Sequence, residues 1–369
     1  MLTVAYDHDI FARQAYGGIS RYFCEIAGQI DRTPDARSKI FAPVHFNGHL
    51  AAHAAPKLAC FLPLRVPKSA RLYGAINACI SPMAIAAYGP DVVHRTYYSG
   101  GPRPRRAKLV VTVFDMIHEL YPQQFSKFDK SVSDKRRAVK DADAVVCISR
   151  STARDLQRLL DVPAAKIAVT HLGCSSAFEP AHTPAGVVAR NGRPFLLHVG
   201  GRAGYKNFTR LLVAYASSPR LARDFDLVAF GGHPFDDAEV AQILALRLQP
   251  GTVRHLTGSD EDLVRAYGCA HAFVFPSEYE GFGIPPLEAM SAGCPVICSE
   301  VSSIPEVVGD AGEYFDPLDT DSIRSAIECV AYDDDRRTSL IGRGHIRRMG
   351  FSWERCANET LRVYRSLLR

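Results

Sequence analysis

Short apolar runs closed by a proline, a glycine or a polar residue recur along this chain, spaced so that a helix fits between them. In the first half they are Leu2 to Tyr6, Lys39 to Ala42, Val92 to His94, Leu109 to Phe114, Ala144 to Ile148 and Ile167 to Thr170. The second half repeats the rhythm with Phe195 to Val199, Leu227 to Phe230, Val253 to Leu256, Ala272 to Phe275, Val296 to Cys298 and Glu313 to Phe315. Such runs read as buried strands, and stretches with apolar positions at helical spacing, such as Ile19, Tyr22, Phe23 and Ile26, supply the helices. Strands alternating with helices predict an α/β architecture of parallel sheets with helical crossovers.

Two such series imply two Rossmann-like domains, 1–178 and 194–351. The intervening 179–193 (EPAHTPAGVVARNGR) is rich in Pro, Ala and Gly with little apolar periodicity and reads as a linker. At the far end Phe351-Ser-Trp-Glu354 opens an amphipathic helix running to Leu368, with Ser352 as its N-cap. No apolar run is long enough to span a membrane, and the opening MLTVAYDHDIF reads as a first strand rather than a signal peptide.

The composition, 47% hydrophobic and 22% charged over 369 residues, suits two ordinary globular cores. Ten cysteines are scattered without any C-x-x-C, and Cys294 with Cys298 reads as strand packing, so a reducing cytoplasm is expected. Net charge is uneven. Residues 1–180 carry 24 Lys and Arg against 15 Asp and Glu, and the remainder 20 against 24, with much of the excess in Arg103-Pro-Arg-Arg106 and between Lys127 and Lys140. A basic face attracts nucleic acid, an anionic membrane surface or an anionic acceptor, and a merely solvated face explains it equally well.

Candidate chemistry centres on His271 to Asp310. Here a strand ends at Pro276, a loop carries Glu280, Gly281, Phe282, Gly283 and Ile284, and a helix over Leu287 to Ala292 carries Glu288 before stopping at Gly293. A loop after a strand's carboxyl end is where open α/β sheets bind ligands. Gly281 and Gly283 allow close backbone approach, and Glu288 can accept paired hydrogen bonds from a vicinal diol such as a ribose. The set suits a nucleotide sugar. The run Glu280-Gly-Phe-Gly-Ile-Pro-Pro-Leu-Glu288, with Ala292-Gly-Cys-Pro-Val-Ile and Ile304-Pro-Glu-Val-Val-Gly after it, resembles the E-x7-E pattern of the retaining family-4 glycosyltransferases.

Three further stretches fall in register with that resemblance. Tyr16-Gly-Gly-Ile-Ser-Arg21 places Gly17 and Gly18 at a helix N-terminus, where free amides and the helix dipole suit a phosphate; Gly18 matches the family's N-terminal glycine loop. Asp115-Met-Ile-His118-Glu119 follows a strand and is similar to bacterial polysaccharide and O-antigen mannosyltransferases, which makes His118 a candidate to support the transferring sugar, with Glu119 and Asp115 as weaker contacts. Val199-Gly-Gly-Arg-Ala-Gly-Tyr-Lys-Asn207 offers Arg202 and Lys206 to a diphosphate, Lys206 being the safer assignment because the spacing is shorter than in some members. Thr257 and Gly258 in the Leu256-Thr-Gly-Ser-Asp260 loop are expected to border the base. His94 with Tyr97 and Tyr98 read either as packing or as acceptor contacts, and Ser149 or Ser151 as a helix cap.

The resemblance implies a GT-B fold, two Rossmann-like domains facing a central cleft, with the C-terminal helix 352–369 crossing back to complete the first. It implies transfer with retention, best assigned to mannose from GDP-mannose, with Glu280 and its loop on sugar hydroxyls and His118, Glu280, Lys206 and Arg202 as the reacting-centre set. The expected partners are a nucleotide-sugar donor, a glycan or lipid-linked glycan acceptor and the anionic inner face of the cytoplasmic membrane, without nucleic acid. Acidic pairs such as Asp7-His-Asp9 are not required as metal ligands when Arg202 and Lys206 can neutralise a diphosphate, so no metal or other cofactor is expected. Alternatives are a UDP-sugar donor, a phosphorylase or epimerase, or a non-catalytic nucleotide-binding scaffold.

Overall fold

The computed structural model describes residues 1–62, 70–98, 100–101, 106–178 and 192–369. They form two compact units, Met1–Gly173 with Ser352–Arg369, and Cys174–Phe351. The stretch read as a linker lies almost wholly outside the described residues, as does most of Arg103-Pro-Arg-Arg106.

The first unit is built on strands β1 (Leu2–Tyr6), β2 (Ala36–His45), β3 (Lys57–Phe61), β4 (Val92–Arg95), β5 (Lys108–Val113), β6 (Ala144–Cys147) and β7 (Ile167–Val169). They pair in parallel in the order β3-β2-β1-β4-β5-β6-β7. The apolar run β6 and the strand β4, which ends in His94 and Arg95, are buried throughout, as strands covered on both faces must be. Strand β3 had no clear pattern to announce it. It lies at the sheet edge, where Leu58 and Phe61 remain exposed, and a half-covered strand needs few apolar positions. Pro43, which has no N–H to donate, sits where the β2–β3 register shifts between Ala42 and Val44.

The last helix, Trp353–Ser366, belongs to this unit. Ser352 caps it, its Oγ accepting from the Arg355 N–H at 3.1 Å. Near its end the Tyr364 hydroxyl shares hydrogen bonds with His94 Nδ1 (2.6 Å) and the Tyr6 hydroxyl (3.2 Å), while His94 Nε2 meets Thr112 Oγ1 at 2.8 Å. Burial pushes the His94 imidazole down to about 3, so the ring is neutral. His94 is therefore a packing residue joining β4, β5 and the last helix. Ser149 caps the helix Arg150–Leu160 in the same way, accepting from the Thr152 N–H.

The second unit holds β8 (Phe195–Val199), β9 (Asp226–Phe230), β10 (Val253–Leu256), β11 (Ala272–Phe275), β12 (Val296–Ser299) and β13 (Gly312–Phe315), all parallel, in the order β10-β9-β8-β11-β12-β13. Leu196, Phe208, Leu212, Leu227, Ile297 and Ile327 anchor its core. Strand order reverses between β1 and β4 in one sheet and between β8 and β11 in the other. At such a point the crossovers leave on opposite faces and open a crevice at the strands' carboxyl ends.

Candidate active site

At the switch point of the second unit two loops emerge side by side. From Val199 the chain turns through Gly200 (φ 108°) and a short 3-10 turn, Gly204–Lys206, to Asn207 (φ 60°), where the helix Phe208–Ala216 begins. From Phe275 the loop through Glu278 and Gly283 leads to the helix Ile284–Ser291. That helix starts a turn earlier than Leu287. Pro285 and Pro286 occupy its first turn, where amide hydrogens have no intrahelical partner to lose.

Backbone and side chains lash the loops together. The Glu278 N–H donates to the Tyr205 carbonyl at 2.7 Å. Asn207 Nδ2 donates to the carbonyls of Pro276 (3.0 Å) and Pro317 (2.8 Å), and Arg210 reaches both Asn207 Oδ1 (2.6 Å) and Glu278 Oε1 (2.9 Å). Asparagine tolerates the left-handed conformation better than most side chains, which fits it to this corner. The outcome is that Lys206 Nζ lies 2.7 Å from Glu280 Oε1.

The Glu280 loop is rigid from the other side as well. Its N–H donates to Ser302 Oγ at 2.9 Å, and the Ser303 hydroxyl lies 2.8 Å from the carbonyls of both Glu280 and Phe282. Gly283, at φ 122°, occupies a conformation that side chains rarely adopt. One turn into the helix Glu288 is 7% exposed, its Oε2 accepting from the Tyr267 hydroxyl at 3.4 Å. Burial, followed by the Glu288 charge, drives the Tyr267 hydroxyl well above its ordinary range, so it stays a donor. An ammonium and two carboxylates thus stand on one fixed frame. Tyr267, Asn207, Ser302 and Ser303 were missed as site residues; only Asn207, a left-handed-tolerant residue just before an apolar helix, carried a readable signal.

Arg202, expected on a diphosphate, is paired within the protein. Its Nε and Nη2 grip Glu239 at 2.6 and 3.0 Å, Nη2 also donates to the His233 carbonyl at 2.6 Å, and Nη1 lies 3.3 Å from the Gly231 carbonyl. Its guanidinium lies over the Phe235 ring at 4.8 Å. A planar fork meeting a carboxylate in two parallel bonds is a strong pairing, and Arg202 holds Glu239 below the usual carboxylate range. Lys206, four residues on, is the cation beside Glu280. Thr257 and Gly258 are exposed at the end of β10, ahead of a Ser259–Asp262 capping box.

In the first unit His118 stands on a short helix, Ile117–Leu120, past the end of β5. Its ring stacks on Phe125 with centroids 3.9 Å apart, and Nε2 is 3.5 Å from Asp129 Oδ2. Glu119, expected as a weak contact to donor or acceptor, is instead the buried counter-ion of Lys135 at 2.8 Å. The same ammonium donates to the Asp115 carbonyl at 2.8 Å. Gly18 begins the helix Gly18–Asp31, and Gly17 before it is extended (φ 169°), with the Gln14 side chain filling the space a Cβ would need. Asp7 and Asp9 bond Thr96 and Arg13, and among the described residues no three His, Cys, Asp or Glu side chains are placed to hold a metal ion. Among the described residues no helix is long and apolar enough to cross a membrane.

Residues 16–178 match the family described as Glycosyltransferase Family 4, and residues 183–346 that described as Glycosyl transferases group 1. The chain is 35% identical over 293 residues to the O-antigen chain mannosyltransferase B of Escherichia coli, covering 74% of this chain and 75% of that protein. The chain belongs to glycosyltransferase family 4. Serotype-specific mannosyltransferase WbdA of Escherichia coli is 27% identical over 313 residues; they make up 78% of this chain but only 38% of WbdA. In fold this family-4 glycosyltransferase superimposes on a sucrose-phosphate synthase from Thermosynechococcus elongatus with a TM-score of 0.76 at 19% identity, covering 100% of this chain and 99% of that one. Two Rossmann-like domains of the GT-B kind are therefore its architecture, and it is an enzyme that transfers sugar.

Proposed function

We propose that this glycosyltransferase moves mannose from GDP-mannose to a growing polysaccharide or lipid-linked oligosaccharide, with retention at the anomeric carbon. The reading rests above all on the Lys206–Glu280 contact at the β8–β11 switch point, supported by the likeness to O-antigen chain mannosyltransferase B. In it, Lys206 holds the diphosphate, Glu280 and the Gly281–Phe282–Gly283 backbone hold sugar hydroxyls, and Glu288 accepts from the ribose diol. Thr257 and Gly258 border the base, Gly18 attends the phosphates, and His118 supports the sugar.

The bond from the anomeric carbon to the diphosphate breaks as an acceptor hydroxyl forms a bond from the same face, and its proton passes to the departing phosphate oxygen. Negative charge grows on the diphosphate during this step, and the Lys206 ammonium is placed to meet it without a divalent cation. The setting is the cytoplasm, at the inner face of the membrane.

A thermal-shift series against GDP, UDP and ADP and the matching sugar nucleotides, with EDTA present, tests this. Ligand at a hundred times its dissociation constant adds about 2.7 kcal/mol. Stabilisation confined to GDP and GDP-mannose is expected; a UDP-selective response would replace the donor, and none at all would defeat the reading. Anomeric configuration in the product, read by NMR, decides retention.

A further inference from the structure

Lys135 is 1% exposed, a depth at which an ammonium persists only where its hydrogen bonds are met. It sits on the helix Ser131–Asp141, on the face that also buries Ala138 and Val139. Stability alone does not account for a charge there. A buried ion pair seldom outdoes well-packed apolar side chains of the same volume, because both groups lose their water. This pair is also incompletely satisfied: Glu119 Oε2 accepts from Lys135 at 2.8 Å, but Glu119 Oε1 is buried with no hydrogen-bond partner.

What the pair does supply is geometry. The Lys135 ammonium donates to the Asp115 carbonyl and to Glu119, both at 2.8 Å, and these residues stand on either side of His118 in the chain. The helix between them, Ile117–Leu120, is barely one turn, too short to hold its own shape. Its start is tied as well, Asp115 Oδ1 accepting from the Ile117 N–H at 3.1 Å. The ammonium also lies 5.6 Å from the centre of the Tyr98 ring, and the Tyr98 hydroxyl accepts from the Phe114 N–H at 3.4 Å, which fixes the end of β5. The same helix reaches His118 from its ring side. Asp129, just ahead of Ser131, gives Oδ1 to the Ser131 N–H at 2.7 Å and sets Oδ2 3.5 Å from His118 Nε2.

We infer that Lys135 is a positioning residue for His118: with Glu119 it clamps both ends of the turn that carries the imidazole and so fixes where the ring stands. The inference rests on the proposed role of His118 for its effect on transfer, and on the first unit alone for the clamp itself. Supporting groups of this kind matter because a displacement of about 1 Å at a reacting centre can cost on the order of a hundredfold in rate.

Replacing the pair together, Lys135→Met with Glu119→Leu, keeps volume and leaves no orphaned charge, so the protein is expected to fold with an unfolding midpoint near the parent's. Its kcat should fall about tenfold or more with donor KM and GDP affinity unchanged. In a His118→Ala background the same double replacement should change kcat by less than about twofold, since coupled residues are not additive. Glu119→Gln, which weakens one arm of the clamp, should show a smaller loss in the same direction. In protein labelled with 15N-histidine, the His118 ring signals, assigned by their loss in His118→Ala, should shift in the double variant while those of His94 stay. Overturning results are parental kcat in both variants, an equal loss with and without His118, or unmoved His118 signals. A His118→Ala protein with parental turnover, beside shifted ring signals in the double variant, would defeat the role given to His118 and leave the clamp standing.

Discussion

Lys206 Nζ meets Glu280 Oε1 at 2.7 Å although the two residues are 74 positions apart, because β8 and β11 are neighbours in one parallel sheet. Their side chains are 25% and 12% exposed, so the contact is open to exchange: a diphosphate can take over the ammonium and a sugar hydroxyl the carboxylate. Lys206→Met is expected to cut kcat/KM by a factor corresponding to about 3 kcal/mol, with weaker GDP binding. Steady-state transfer assays check this, and a loss below threefold would mean that the ion pair only braces the loops.

Glu288 and His118 should separate binding from turnover. Glu288→Ala removes the carboxylate assigned to the ribose and should raise the donor dissociation constant about tenfold, the scale of one charge-assisted hydrogen bond. His118→Ala should lower turnover more than donor affinity. Unchanged donor affinity in the first variant, measured by titration, would end the ribose assignment.

Arg202 is built into the protein's own frame, so its replacement should be felt first as lost stability. Arg202→Met takes the guanidinium from Glu239, which keeps only the Asp236 N–H, and from the His233 carbonyl. Urea unfolding should show a loss of about 2–3 kcal/mol, the cost of orphaning charged partners. A variant as stable as the parent but unable to bind nucleotide would restore Arg202 to the diphosphate.

His94 gives the first unit a pH dependence of fixed sign. Its imidazole titrates at about 3 when folded, against about 6.5 in an unfolded chain, so between those values the unfolded state binds the extra proton. Stability is full above pH 6.5 and should fall by about 1.4 kcal/mol per pH unit below it on this residue's account. His94→Gln, which keeps an amide donor and acceptor, should flatten that slope in urea titrations between pH 6.5 and 5. An unaltered slope would show that other groups set it.

Much of the fold was legible because buried parallel strands must be nearly continuous apolar runs, and twelve such runs fall where strands form. Edge strand β3 was not, since half-exposed positions such as Leu58 and Phe61 leave no pattern. The E-x7-E run, the Gly-Gly turn and the Ser352 cap were equally readable, being local arrangements in which backbone conformation follows from residue type.

What only the tertiary structure decided is which long polar side chains meet. Only spacing favoured Lys206 over Arg202, two cations in one turn; the fold sends the first to Glu280 and the second to Glu239. Glu119 likewise looked available from its position after a strand, and His94 read as packing or as an acceptor contact; the fold spends them on Lys135 and Tyr364. Hydrogen-bond partners of buried polar groups come from sequence-distant elements, because burial forbids leaving any donor to water and the nearest acceptor belongs to whichever strand or helix packs alongside.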